Sequence, residues 1–227
     1  MTGVILVTSC AGLLLMWSVG IAAAESSHMT RDKALLAAAE RNDVAAALQL
    51  LKEGAGVQAR DAQGRTALMA ATYGNHVEVA ALLIQAGADV NAQDAMHNSP
   101  LLLAGASGYL EILRLTLQAN PDFTRYNRYG GTALIPACER GHVEVVKELL
   151  KTTIDVNHVN RLGWTALLEA IILSDGGAKH QDIVRLLTAA GADVHLADAD
   201  GMTPLRHARQ KGYTAMADIL LSAGARE

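Results

Sequence analysis

The residue types that could do chemistry in this chain are few and scattered. Cys138, Glu139, His142, Glu169 and His180 invite a reading as nucleophile, acid and base. Their spacing argues against it. Cys138 falls near the middle of an expected helix, on a face that packs inward, where a thiol behaves as a small apolar group. His142 sits in a Gly-His pair at the place where Asn75-His76 stands in another unit, so the scaffold accounts for it. His158 and His180 are expected on opposite edges, too far apart to share a metal. Neither a Gly-rich phosphate loop nor paired histidine ligands are found. No catalytic residue, cofactor site or metal site is assigned, and the chain is expected not to be an enzyme.

A different set of residues is suited to recognition. Arg125, Tyr126, Arg128, Tyr129, His158, Arg161 and Trp164 cluster in two expected loop tips. Tyr126, Tyr129 and Trp164 are three of the seven aromatic residues beyond position 24. Tyr, Trp and Arg are the types enriched among residues that dominate binding energy. The competing reading is that Trp164 and one tyrosine only cover the base of a loop. Three close arginines favour an acidic or carboxylate-bearing partner. Tyr73, Glu139, Arg140, Gln210 and Lys211 fall at helix positions expected to face a concave groove, together with Glu40-Arg41 and Ala106-Ser107. Their mixed charge fits either a solvated face or a secondary contact surface.

What positions these residues is a repeat. Thr66-Ala-Leu68, Ser99-Pro-Leu101, Thr132-Ala-Leu134 and Thr165-Ala-Leu167 lie 33 residues apart, and Thr203-Pro-Leu205 follows after 38. A fixed period of this size means stacked units. Asp61, Asp94, Asn127, Asn160 and Asp198 open turns, where short polar side chains bond nearby backbone. Thr66, Ser99, Thr132, Thr165 and Thr203 are expected helix N-caps. Pro100 and Pro204 suit the first helical position. Asn75, Gly108, Gly141 and Gly212 separate paired helices, and the second helix carries Val143, Val145, Val146, Leu149 and Leu150 on one face.

The full pattern runs from turn and Thr-x-Leu through two helices to Ala86-Gly87-Ala88-Asp89-Val90-Asn91. It resembles the ankyrin repeat, and the resemblance covers residues 30–227. It implies an all-α ankyrin-repeat solenoid of about six helix-turn-helix units joined by short β-hairpin or turn fingers. The units are 30–60, 61–93, 94–126, 127–159, 160–197 and 198–227, the first and last acting as caps. Gly131–His142 and Asn160–Glu169 resemble a subset of bacterial ankyrin proteins, which points to a bacterial source. The resemblance implies that partners are met by the loop tips and the concave face.

The chain departs from the family pattern in places. The histidine of Thr-Pro-Leu-His is missing from every copy, so the bonds it makes between neighbouring repeats are expected to be absent. Thr153-Ile154 replaces Gly-Ala, so that helix should close differently. Pro136 should kink the start of its helix. Residues 174–181 should form an extra loop on the edge opposite the tips. Glu169 takes a position where the family has an apolar side chain, and a buried carboxyl needs partners. Asn160 or Trp164 groups are the expected ones, in a structural network.

Net charge is -4 with a sequence pI of about 6.0, which excludes a general nucleic-acid binder, since that needs a basic face. Residues 2–24 carry no charge and end in Ala22-Ala23-Ala24 before Glu25, which resembles a signal peptide. The domains are then a signal segment, 1–24, a linker, 25–29, and the repeat domain, 30–227. A periplasmic or secreted location is expected, with cleavage after Ala24. An uncleaved anchor through residues 4–24 and a cytosolic form starting at Met29 remain open. Without residues 1–24 a single cysteine remains, so no internal disulfide can form. The expected role is a monomeric, non-catalytic protein-binding module of the bacterial envelope. The alternatives are a chaperone-like envelope protein with many clients and a cytosolic scaffold.

Overall fold

The computed structural model describes residues 27–226, and the expected signal segment lies outside them. Twelve helices follow one another among the described residues, paired into six units. The first helix of each unit is α1 (27–40), α3 (Ala67–Tyr73), α5 (Pro100–Ser107), α7 (Leu134–Glu139), α9 (Ala166–Ile172) and α11 (Pro204–Gln210). The second helices are α2 (Val44–Lys52), α4 (Val77–Gln85), α6 (Leu110–Gln118), α8 (Val143–Leu149), α10 (Ala178–Ala189) and α12 (Thr214–Ser222). Helix α1 already starts in the segment read as a linker. From α3 to α11 the first helices pack on one another in sequence order, as do the second helices from α2 to α12. The result is a two-layered stack. No helix of the described residues is long and apolar enough to cross a membrane.

One side chain per unit makes the seam of the first layer. Leu35, Leu68, Leu101, Leu134, Leu167 and Leu205 repeat in register, and each is at most 4% exposed. Val79, Ile112, Val145, Ile183 and Met216 form the matching column in the second layer. Small residues let the layers approach. A Cβ on Gly105 of α5 would stand 2.9 Å from the Ala133 Cβ of the next unit.

The turns form as their polar openers dictate. In each of the five, the Asx oxygen accepts two backbone N–H groups, as Asp61 Oδ1 does from Gln63 and Arg65, both at 2.9 Å. Asp94, Asn127, Asn160 and Asp198 repeat this. Because side chains take these donors, the fingers remain turns. Of the two finger forms expected, β-hairpin or turn, the turn is the one found, with a single bridge among the described residues, Arg60 with Thr66. His97, at the glycine position of the third turn, adopts a left-handed φ of 58°.

Thr66, Ser99, Thr165 and Thr203 cap their helices through the side-chain oxygen, as expected. Thr132 does not. Its hydroxyl is buried without a partner, and α7 starts one residue late. The cause is Pro136. The residue four after each of the other caps donates its N–H to the cap carbonyl, and proline has none to give. The helix is shortened at its start rather than broken.

Helix α8 closes differently, as Thr153-Ile154 implies. Ala88, Ala192 and Ala225 each send their N–H back to a leucine carbonyl of the preceding helix. In α8 the Thr152 hydroxyl bridges that gap, donating to Leu149 O at 2.6 Å and accepting from Ile154 N at 3.2 Å. The 174–181 segment is only partly a loop, because its end forms the first turn of the twelve-residue α10.

Histidines do join neighbouring units, although from a different position than the family motif supplies. The Nε2 of His76, His142 and His180 hydrogen-bonds Glu40 O, Ala106 O and Glu139 O at 3.0, 3.2 and 3.0 Å. Each reaches from the start of a second helix to the end of the preceding unit's first helix. Tyr213 places its hydroxyl on Ser174 O in the same way, at 2.7 Å.

Leu134 is fully buried in the central seam. Leu134→Ala should lower the unfolding free energy by about 2–5 kcal/mol, read as a fall in the urea midpoint by circular dichroism.

Candidate functional site

The tips of the fourth and fifth units meet at one opening. Arg128 and Arg161 line a cavity of ≈ 510 Å³, with His97, Arg125 and Tyr126 from the third unit and Gln93 from the end of the second. The turn that opens at Asn127 carries Arg128 and Tyr129 outward, and the turn at Asn160 does the same for Arg161. The two fingers are tied together. Arg161 N donates to Tyr129 O at 2.9 Å, and the Arg161 guanidinium donates to Arg128 O at 2.9 Å. Arg125 pairs with Asp122 at 3.2 Å, and Arg128 lies 4.8 Å from the centre of the Tyr129 ring. Tyr126 stacks on His158 with ring centres 4.4 Å apart, and His158 Nε2 reaches Gly130 O at 2.6 Å. The aromatic and basic groups therefore hold one another in place before any partner arrives.

Trp164 is not at that opening. It is half-buried, and its backbone exchanges hydrogen bonds with Asn160 at the base of the finger.

Only part of the expected concave face converges. Glu139 and Arg140 line a second cavity of ≈ 550 Å³ between the first helices and the tips, alongside Arg128, Tyr129, Asn160 and Glu169. Tyr73 lies elsewhere, donating its hydroxyl to Asp94 at 2.7 Å and accepting from Asn98 at 3.0 Å. Burial and the hydrogen bond to Asp94 raise its pKa. Gln210 and Lys211 are exposed at the far end, with the Lys211 amine 5.6 Å from the Tyr213 ring.

The sequence reading missed an apolar strip. Met96, Tyr129 and Leu162 hold the same turn position in three successive units and are 48%, 50% and 53% exposed. The same position is Gln63 before the strip and Asp200 after it. The signal was available in the register of the turns, where apolar residues are unexpected.

The groups that invited a catalytic reading are engaged in the scaffold. Cys138 is fully buried, and burial followed by the charge of Glu169 pushes its thiol well above the usual range. His142 and His180 spend Nε2 on carbonyls, and burial lowers the pKa of His142. Among the described residues no group of three or more His, Cys, Asp or Glu is placed to hold a metal.

Glu169 takes Asn160 as its partner, one of the two expected, with Asn160 Nδ2 donating to Oε1 at 2.8 Å. Burial, then the charge of Glu139, raises its pKa to about 7. The folded chain therefore holds this proton more tightly than the unfolded chain. The associated stability is present below pH 4.5 and is lost as pH rises through 7. Glu169→Gln keeps an acceptor for Asn160 and removes the loss. At pH 8 it should be more stable than wild type by roughly 1–3 kcal/mol, and at pH 4 nearly equal to it, in urea titrations at both pH values.

Comparison with known proteins agrees with this architecture. A family model described as ankyrin repeats (3 copies) matches residues 9–94 and 101–198. An ankyrin repeat protein of Escherichia coli (strain K12), YahD, is 53% identical over 57 residues, which are 25% of this chain and 28% of that one. The matched part is thus under a third of that relative's length. An ankyrin repeat domain from Acinetobacter baumannii AYE is 55% identical, with a TM-score of 0.83 over 85% of this chain and 98% of that one. The ankyrin repeat protein EF0377 is 43% identical, with a TM-score of 0.81 over 84% and 97%. The ankyrin repeat domain of Bcl-3, a member of the IkappaB family, is 25% identical, with a TM-score of 0.76 over 85% and 86%. With its period, Asx-opened turns and paired helices, the chain belongs to the ankyrin repeat family.

Proposed function

We propose that this protein is a non-catalytic binding module that grips a protein partner by the tips of its fourth and fifth repeats. Ankyrin repeats are protein-interaction modules, and this chain carries them along most of its length. The observation that carries the reading is the convergence of Arg125, Arg128 and Arg161 on one cavity, next to exposed Tyr126 and Tyr129. His158 supports Tyr126 from behind by stacking. Trp164 braces the finger. The partner offers an acidic surface, because arginine forks match carboxylates. Glu139 and Arg140 add a secondary contact on the concave side. The fingers are already bonded to one another, so little ordering cost attaches to binding.

The chain acts outside the cytoplasm, with residues 1–24 removed as a signal peptide. What supports this is the uncharged stretch ending in three alanines before Glu25. N-terminal sequencing of protein from its native cells should begin at Glu25, and a start at Met1 or Met29 overturns the assignment.

The triple variant Arg128→Ala/Tyr129→Ala/Arg161→Ala should keep its helical spectrum and lose at least about tenfold in partner capture from a native lysate. Unchanged capture by the folded variant rules the tip reading out.

A further inference from the structure

The second cavity has a buried carboxyl on its floor that no cation pairs with directly. Glu139 of α7 and Glu169 of α9 both line it. Glu169 is 5% exposed, and Asn160 gives it its one hydrogen bond among the described residues, to Oε1. A buried carboxylate with a single neutral donor is costly in its ionised form. The two arginines of the cavity make no hydrogen bond to Glu169, although, against burial, the charge of Arg140 still lowers its pKa somewhat. Arg140 directs Nη1 to Ala106 O at 2.7 Å, and Arg128 lies over Tyr129. The histidines of the helices packed on α9 do not turn to Glu169 either. His180 of α10 is turned to Glu139 O, and His207 of α11 to Asp198 Oδ2 at 2.6 Å.

Part of the wall above this floor is apolar, between polar groups such as Asn98 and Asn127. Ile135, Pro136 and Leu102 are buried there, while Tyr129, Leu162 and Leu173 form an exposed rim. A buried carboxyl beside an apolar stretch of wall matches a side chain with a hydrocarbon stem and a charged end. Tyr129 and Leu162 also belong to the apolar strip that starts at Met96, so the mouth of the cavity lies on that strip.

We propose that this cavity is a pocket for one lysine or arginine side chain of the partner. The cation meets Glu169 with Glu139 beside it, and the stem lies against Ile135, Tyr129 and Leu162. The flanking partner residues are apolar and follow Met96, Tyr129 and Leu162. The partner therefore combines an acidic patch for the tips with a basic residue in an apolar setting. This deepens the binding role proposed above and rests on it for the statement that the occupant comes from a protein.

The pocket can be tested without the natural partner. The full chain, carrying glutamate labelled with 13C at the carboxyl, is titrated by NMR with N-acetyl-lysine methylamide or with neutral N-acetyl-norleucine methylamide. A cation that binds the ionised carboxyl must pull its midpoint down. The lysine compound should lower the Glu169 midpoint by at least about half a unit, saturably at millimolar concentration, while the norleucine compound leaves it in place. Glu169→Gln should abolish the lysine-specific shifts at the Tyr129 and Leu162 amides and keep its helical spectrum. Equal effects of the two compounds, no saturable effect up to about 50 mM, or unchanged shifts in Glu169→Gln overturn the pocket. A lysine effect together with full partner capture by the triple tip variant overturns the tip reading alone. Lost capture by that variant without any lysine effect overturns the pocket alone.

Discussion

Each unit of this protein has an apolar side on both its faces, and neither can be buried within the unit itself. The leucine column from Leu35 to Leu205 exists only where one helix pair lies against the next. Stability is therefore a property of neighbour interfaces rather than of repeats taken singly. The spacing of every functional feature follows from that. The turn openers, the finger tips and the bonding histidines recur at intervals fixed by how closely two pairs can approach, which Gly105 and Ala133 show at their limit.

Specific polar contacts then lock the stack at both edges. At one edge, histidines in the second helices reach the exposed carbonyls at the ends of the preceding first helices. At the other edge, the fingers lean on one another, through Ala95 N on Gln63 O and Arg161 N on Tyr129 O, both at 2.9 Å. Arg60 and Gln93 extend this with side-chain bonds to Gln93 O and Tyr126 O in the following fingers. These cross-unit bonds add to the caps and Asx turns made within each unit, so the finger surface is fixed by the stack as well as by each loop.

Local chemistry made much of this legible from the residues alone. Asx turns, most caps and the left-handed breaks at Asn75 and Gly108 depend on a few adjacent residues, and they form where expected. Failures came where a second residue intervened. Thr132 was a good cap by type, yet Pro136 removed the N–H that secures the first turn. His180 was hidden because the inserted residues shifted it out of register, although it fills the slot of His76 and His142. The tip arginines and tyrosines were visible as residue types, and the structure brings four of the seven named residues to one cavity. What the sequence did not reveal was how they are engaged, or that Glu169, Glu139 and Leu162 share a second opening. Those relations join units and depend on the depth of the groove, which no single motif encodes.

The thiol of Cys138 lies fully sealed between the layers, with burial holding it in the protonated form. In the chain without its first 24 residues it is the sole sulfhydryl. A folded molecule lacking those residues thus presents no thiol for a disulfide to a second chain. Any reaction of this sulfur with an alkylating dye records a molecule whose central helices have parted, which makes the native protein its own gauge of breathing.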